Sequence, residues 1–207
     1  MAEETAPLTG KETAGNAAED SSSEEEYNPQ RDPELIKLQA FLDDDADGEE
    51  AAVELAVKLM ASKRQEQRLE AVKVFQWYGG KENLARLAKL CRDADVEVAD
   101  TALDGYLHAF SSLQEAPDSA AVNDLRDLIL YVPDSARRES LFMLTTSLDE
   151  ATVLPGLIEI LTRAREEDNE ELAGMAEEYI DFATETGSGI DTLEKAQQWL
   201  DAHAEKM

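Results

Sequence analysis

Apolar residues recur at three- and four-residue spacing from Pro33 almost to the end of the chain. One such stripe consists of Val96, Ala99, Leu103, Tyr106, Leu107 and Phe110. This spacing places side chains on one face of an amphipathic α-helix. Alternation of apolar and polar residues, which is typical of a strand, never persists between turn signals. The pattern therefore predicts an all-α fold.

Ten helical segments can be placed along the chain. They are 33–42, 49–61, 65–78, 82–92, 95–113, 118–131, 135–148, 150–165, 169–186 and 190–205. Gly79-Gly80 and Gly187-Ser188-Gly189 break the pattern as turns do. Asp118, Asp134 and Asp191 are predicted N-caps, because a short side-chain oxygen accepts a hydrogen bond from an unpaired amide at the start of a helix.

The segment RLEAVKVFQWYGGKENLARLAKLCRDADVEVADTAL, at residues 68–103, resembles a HEAT (armadillo-like) repeat. In it a helix with small residues is followed by a glycine turn, a leucine-rich helix and an aspartate-rich link. Ala71, Ala102, Ser140 and Ala176 fall at equivalent positions, at spacings of 31, 38 and 36 residues. TVLPGLIEIL, at residues 152–161, resembles the second helix of a unit.

The resemblance implies a right-handed α-α superhelix of about five helical hairpins over residues 33–207, with a closed helical bundle as the alternative. Each hairpin in such an array buries its apolar face against its neighbours. The usual role of the family is protein–protein interaction. The resemblance therefore predicts a non-enzymatic scaffold or adaptor with a protein or peptide partner.

Residues 1–32 have a different composition, with nine acidic and two basic residues and few branched apolar ones. Such a segment buries too little apolar surface to offset its ordering entropy. It is predicted to be a disordered acidic tail rich in serine and glutamate.

The net charge of −28 is extreme for 207 residues. It disfavours nucleic acid and anionic membrane surfaces as partners. It also raises an alternative function, in which the protein acts as an acidic mimic that occupies a basic partner. No stretch approaches 18 consecutive apolar residues, and the first 30 residues lack the apolar region of a secretory signal. The expected compartment is the cytoplasm, unless a leader or anchor precedes this sequence.

Residues 58–92, here called the basic hairpin, reverse the sign of the charge with nine basic and three acidic residues. Arginine, lysine and aromatic side chains there could dock an acidic peptide or phosphate. The candidate partner-binding residues are Arg64, Arg68, Lys73, Trp77, Tyr78, Lys81 and Arg86. The favoured account is that the basic residues pair with acids of adjacent hairpins, and that Trp77 belongs to the core.

DDDADGEEAAVE, at residues 43–54, matches several positions of a calcium-binding EF-hand loop. The candidate ligands are Asp43, Asp45, Asp47, Glu49 and Glu54. Glu50 stands where an EF-hand usually has an aliphatic residue, and no second loop of this kind occurs in the chain. Two interpretations stay open: a calcium-responsive helical module, and an acidic turn between two helices.

Little in the sequence indicates catalysis. The two histidines, His108 and His203, occur without a recognisable triad, and the chain lacks phosphate-binding glycine loops and metalloprotease motifs. Cys91, the single cysteine, recurs with leucines at helical spacing and is expected to be a small core residue. The sequence predicts that the protein is not an enzyme and needs no cofactor.

Overall fold

The computed structural model of the chain describes residues 27–43 and 48–184, together with residues 195, 198, 199 and 202. In these residues a short 3-10 helix, Pro29–Arg31, precedes nine α-helices, and no strand occurs. The helices are α1 (Pro33–Leu42), α2 (Gly48–Leu59), α3 (Gln65–Tyr78), α4 (Gly80–Leu90), α5 (Val96–Ser111), α6 (Ser119–Tyr131), α7 (Ser135–Thr145), α8 (Glu150–Glu166) and α9 (Glu170–Ala183).

The predicted all-α fold is thus confirmed. Each of the nine helices corresponds to one predicted segment, and both ends agree within three residues. The tenth predicted segment, 190–205, lies outside the described residues except at four positions, all of them helical. Helix boundaries follow the sequence this closely because local hydrogen bonds and caps determine them.

Two of the predicted N-caps are confirmed. Oδ1 of Asp118 accepts a hydrogen bond from the amide of Ala121 at 3.0 Å, and Oδ1 of Asp134 accepts one from the amide of Arg137 at 2.9 Å. Asp191 lies outside the described residues. Asp32, Asp95, Asp149 and Asn169 cap α1, α5, α8 and α9 in the same way.

The helices pack in two layers. In one layer α1, α3, α5, α7 and α9 follow one another, and in the other α4, α6 and α8 do so. Every substantial contact among the described elements joins neighbours at most two helices apart in the chain. The equivalent positions Ala71, Ala102, Ser140 and Ala176 all fall in the first layer, one on each of α3, α5, α7 and α9. This packing is compatible with a helical repeat.

The core is mainly aliphatic and runs continuously from α1 to α9. Cys91 is buried in it, as predicted, and burial raises the pKa of its thiol to about 12. The predicted stripe of α5 is wrong at its start, because Val96 is 74% exposed. Val96 is the first residue of the helix, and Val98 takes the buried position in that turn.

Residues 27–32 also differ from the prediction, which places them in the tail. Asp32 is buried, with 2% of its surface exposed, and it caps α1. Its carboxylate pairs with Arg64, and the Arg64 guanidinium lies 4.5 Å from the centre of the Tyr27 ring. Residues 27–32 therefore belong to the folded part, because contacts with Arg64 and Gln67 hold this segment against the start of α3. Residues 1–26 lie outside the described part of the chain.

Candidate functional site: the groove between α2 and α4

A groove opens where the second layer is interrupted. α4 packs on α6 and α6 on α8, whereas α2 and α4 share no comparable contact among the described helices. The gap between them lies alongside α3 and has a volume of about 1640 Å³. It is lined by α2, the second half of α3, the start of α4 and the end of α1.

One face of α2 forms the first wall of the groove. Glu49, Glu50, Val53, Glu54 and Val57 line it at helical spacing. The opposite face of the same helix is buried in the core and consists of Ala52, Leu55, Ala56 and Leu59. The groove face is therefore the solvent face of α2. Even so, it carries two valines, and Val57 is 38% exposed.

α3 contributes the most exposed large apolar side chain in the groove. Trp77 lines the groove and is 81% exposed, whereas Phe75, two residues earlier, is 0% exposed. The expectation that Trp77 belongs to the core is therefore wrong. α3 buries Phe75 on its core face and turns Trp77 toward the space that α2 and α4 leave open.

Two glycines place α4 at the edge of the groove. Gly79 and Gly80 both have positive φ, at 58° and 78°. The amide of Gly79 donates a hydrogen bond to the carbonyl of Phe75 at 3.1 Å, and α4 begins at the next residue. Positive φ is readily adopted only by glycine, so this pair permits a reversal with almost no connecting loop.

Two candidate partner-binding residues do not line the groove and join helices instead. Arg68 makes two hydrogen bonds to the carboxylate of Asp93, at 2.8 and 2.9 Å. Arg64 pairs with Asp32 at 2.7 Å. Both pairs span 25 residues or more of sequence. These arginines hold the start of α3 to neighbouring segments.

The other five candidates, Lys73, Trp77, Tyr78, Lys81 and Arg86, do line the groove. All three of the basic ones have an acidic neighbour. Lys73 pairs with Glu70 at 2.5 Å, Lys81 with Glu115 at 3.5 Å and Arg86 with Glu82 at 3.4 Å. The charges of the basic hairpin are thus largely compensated within the protein, and few are available to an acidic ligand.

Fewer of the acidic residues in the groove have their charge compensated by an ion pair. Asp43, Glu49, Glu50 and Glu54 line it and form no ion pair within residues 27–43 and 48–184. Three of them, Asp43, Glu49 and Glu54, are candidate calcium ligands by sequence, whereas Glu50 is the mismatch to an EF-hand loop. The run DDDADGEE at residues 43–50 signals the charge, but only the packing shows that it adjoins an exposed tryptophan.

The calcium-loop prediction is only partly covered by the structure. Asp45 and Asp47 lie outside the described residues. Asp43 follows the last residue of α1 and accepts a hydrogen bond from the side-chain amide of Gln39 at 2.9 Å. In the part of the chain that is described, no group of three or more histidine, cysteine, aspartate or glutamate side chains is arranged to hold a metal ion. Calcium binding stays a prediction.

No helix in the described ranges is both long and apolar enough to cross a lipid bilayer. Comparison of the chain with protein-family models, with curated proteins and with solved structures gave no match.

Proposed function

We propose that the protein is a non-enzymatic protein-binding module, a scaffold or adaptor, and that the groove between α2 and α4 is its docking surface. The observation that carries the proposal is the exposure of Trp77 within a concave site. Tryptophan is among the residue types enriched at the positions that dominate binding energy in protein interfaces, which lie in pockets that the partner desolvates.

The dimensions of the groove favour a macromolecular segment over a small molecule. At about 1640 Å³ it exceeds the volume of ordinary small-molecule pockets, which is about 300 to 1,000 Å³. Its lining on α3 runs from Glu70 to Tyr78, or about 12 Å at the rise of an α-helix. A peptide helix of two to three turns has this length, and a helix that lies in an apolar groove is a recurring mode of peptide recognition.

The proposal includes a HEAT-like architecture with the α-α superhelical arrangement of that family. It is supported by the two-layer order of the helices and by the position of Ala71, Ala102 and Ala176, all fully buried on alternate helices. In arrays of this kind each unit contacts only its neighbours, and a binding surface extends over several units. A break in one layer, as between α2 and α4, adds a local concavity to that surface.

The docking role can be tested by site-specific photocrosslinking in cells. A photoreactive amino acid replaces Val57 in the groove, and a control protein carries it instead of the exposed Met143 on α7. We expect discrete crosslinked proteins at position 57 that disappear in the Trp77→Ala background. Identical products from positions 57 and 143, or products at position 57 that persist without Trp77, would contradict the proposal.

A further inference from the structure

We infer that the groove binds a lysine- or arginine-rich amphipathic helix of a partner protein. The apolar face of this helix packs on Val53, Val57 and Trp77, and its cationic residues face Glu49, Glu50 and Glu54. The inference rests on the proposed function and adds the chemistry of the partner.

The apolar surface of the groove is provided by α2 and α3. Val53 and Val57 are one turn apart on α2, and Trp77 presents most of its surface from α3. An amphipathic helix offers apolar side chains at i, i+3, i+4 and i+7, which matches a contact of this length. Burial of Trp77 and Val57 would remove from water the largest exposed apolar groups in the groove.

The acidic and basic side chains of the groove differ in how many of them form ion pairs. Three of its four cations, Lys73, Lys81 and Arg86, already have acidic neighbours. The fourth, Lys58, has no described ion partner, and neither do four groove carboxylates, those of Asp43, Glu49, Glu50 and Glu54, so that the unpaired groups of the groove are mainly acidic. The N-terminus of α2 offsets only about half a charge of this wall. A cationic partner therefore gains attraction without displacing existing pairs. An acidic partner would have to compete with Glu70, Glu115 and Glu82 for three of the four cations.

The remaining segments of the chain have the wrong charge to occupy the groove themselves. Residues 1–26 contain eight acidic residues and one lysine, and residues 185–207 contain five acidic residues and two lysines. A second copy brings a further net charge of −28. Repulsion from the acidic wall disfavours each of these occupants, so the charges point to a different, basic protein.

The test uses fluorescence anisotropy with three labelled peptides of about 16 residues at 0.15 M salt. The first has leucines at helical spacing and lysines elsewhere. The second replaces each lysine by glutamate and keeps the leucines. The third has the composition of the first in an order without an apolar face. Circular dichroism of each protein variant verifies that its helix content is unchanged.

Four proteins are compared: the wild type, Trp77→Ala, a groove triple variant with glutamine at Glu49, Glu50 and Glu54, and a control. The control carries the same three Glu→Gln changes at exposed positions without a described ion pair on α8 and α9, namely Glu166, Glu171 and Glu178. Both triple variants remove three negative charges. A difference in peptide affinity between them therefore depends on where the charges lie and not on the net charge of the protein.

We expect the cationic amphipathic peptide to bind the wild type tightest. Trp77→Ala and the groove triple variant should each weaken its binding by about tenfold, and the control by less than about twofold. Equal weakening by the two triple variants, or equal binding of the scrambled peptide, would show only non-specific attraction and overturn the inference. Tight binding of the glutamate peptide that depends on Trp77 would also overturn the inference and leave the proposed docking function intact. If Trp77→Ala changes no affinity, both fail.

Discussion

Nη1 of Arg64 lies 2.7 Å from Oδ2 of Asp32, so that the residue before α1 is joined to the residue before α3. The same oxygen accepts hydrogen bonds from the hydroxyl of Tyr27 at 2.8 Å and from the side-chain amide of Gln67 at 2.9 Å. No buried side-chain nitrogen or oxygen in the described residues lacks a partner. Asp32 therefore stabilises the start of the fold in two ways. It caps α1, and it binds Arg64 and Gln67 at the start of α3.

Replacement of Asp32 by alanine should remove both roles. We expect Asp32→Ala to lower the free energy of unfolding by about 3 kcal/mol, because a helix cap is lost and the buried amide of Gln67 loses its acceptor. Urea denaturation measures the change. Asp149→Ala is the matched control, since Asp149 caps α8 without an ion pair, and it should cost about 1 kcal/mol. Equal losses would mean that the contacts with Arg64 and Gln67 add nothing.

The pH dependence of stability should also report on Asp32. Burial acts to raise the pKa of its carboxyl, but hydrogen bonds from Tyr27, the amides of Leu35 and Glu34, and Arg64 outweigh this effect and lower the pKa. Because the folded pKa is below the unfolded value of about 3.9, the stabilisation is complete above that pH and is lost as pH falls through the folded pKa.

The measurement compares the wild type with Asp32→Asn by urea denaturation from pH 7 downward. The difference in the free energy of unfolding should be constant down to about pH 5 and then shrink, because only the wild type titrates at this position. The comparison cancels the general effect of neutralising the many other carboxylates. A difference that stays constant to the lowest pH at which the protein folds would contradict the assigned pKa direction.

Trp77 and Phe75 provide a contrast between a binding surface and the core. Trp77→Ala should change the free energy of unfolding by less than about 0.5 kcal/mol, because the side chain is mostly exposed. Phe75→Ala should cost about 3 to 5 kcal/mol, because it opens a cavity in the core. Thermal and urea denaturation distinguish the two. A large loss in Trp77→Ala would place that side chain in the core, as the sequence alone suggests.

The glycine pair between α3 and α4 should resist substitution. Gly79→Ala is expected to destabilise the fold by about 1 to 2 kcal/mol, because φ is positive there although no atom lies near an added Cβ. Gly174→Ala is the control, for which we expect a change in the free energy of unfolding of opposite sign. An added Cβ at Gly174 also meets no atom, but this glycine is inside α9 with helical backbone, so alanine should stabilise by about 0.5 to 1 kcal/mol.

For the acidic stretch at residues 43–54 we expect calcium to leave the melting temperature unchanged at millimolar concentration. The reasons are Glu50 at the position of the usual aliphatic residue, and the absence from the sequence of a second loop that could pair with this one. Calorimetry with and without calcium measures the effect. A calcium-dependent rise in melting temperature that disappears in Glu54→Gln would establish the metal site instead.

The nine helices could be predicted because the information for each is local. Three- and four-residue periodicity, the caps at Asp118 and Asp134, and the turn at Gly79-Gly80 all act within a few residues of the bonds they determine. Of the four positions predicted to be equivalent, Ala71, Ala102 and Ala176 are fully buried, whereas Ser140 is exposed. The packing is thus compatible with a helical repeat, and the equivalence of individual units stays a prediction.

The sequence predicted the charged residues of the candidate site but not the pairing between them. The excess of basic residues in the basic hairpin and the acidic run before α2 are both evident from the sequence. The ion-pair partners of these residues are not. Arg68 pairs with Asp93, which is 25 residues away in the sequence, and Arg64 pairs with Asp32, which is 32 residues away. Whether a charge is paired depends on such distances in space, so the sequence could not show which residues of the basic hairpin remain available.

The exposure of Trp77 is the clearest example of what only the tertiary structure decided. By sequence, a tryptophan two residues from Phe75 in an apolar helix belongs to the core. Its surroundings depend on the spacing between α2 and α4, two helices that share no substantial contact with each other. The sequence alone determined the helices and their order, because those depend on local bonds. The tertiary packing decided which faces meet and which one remains open as a groove.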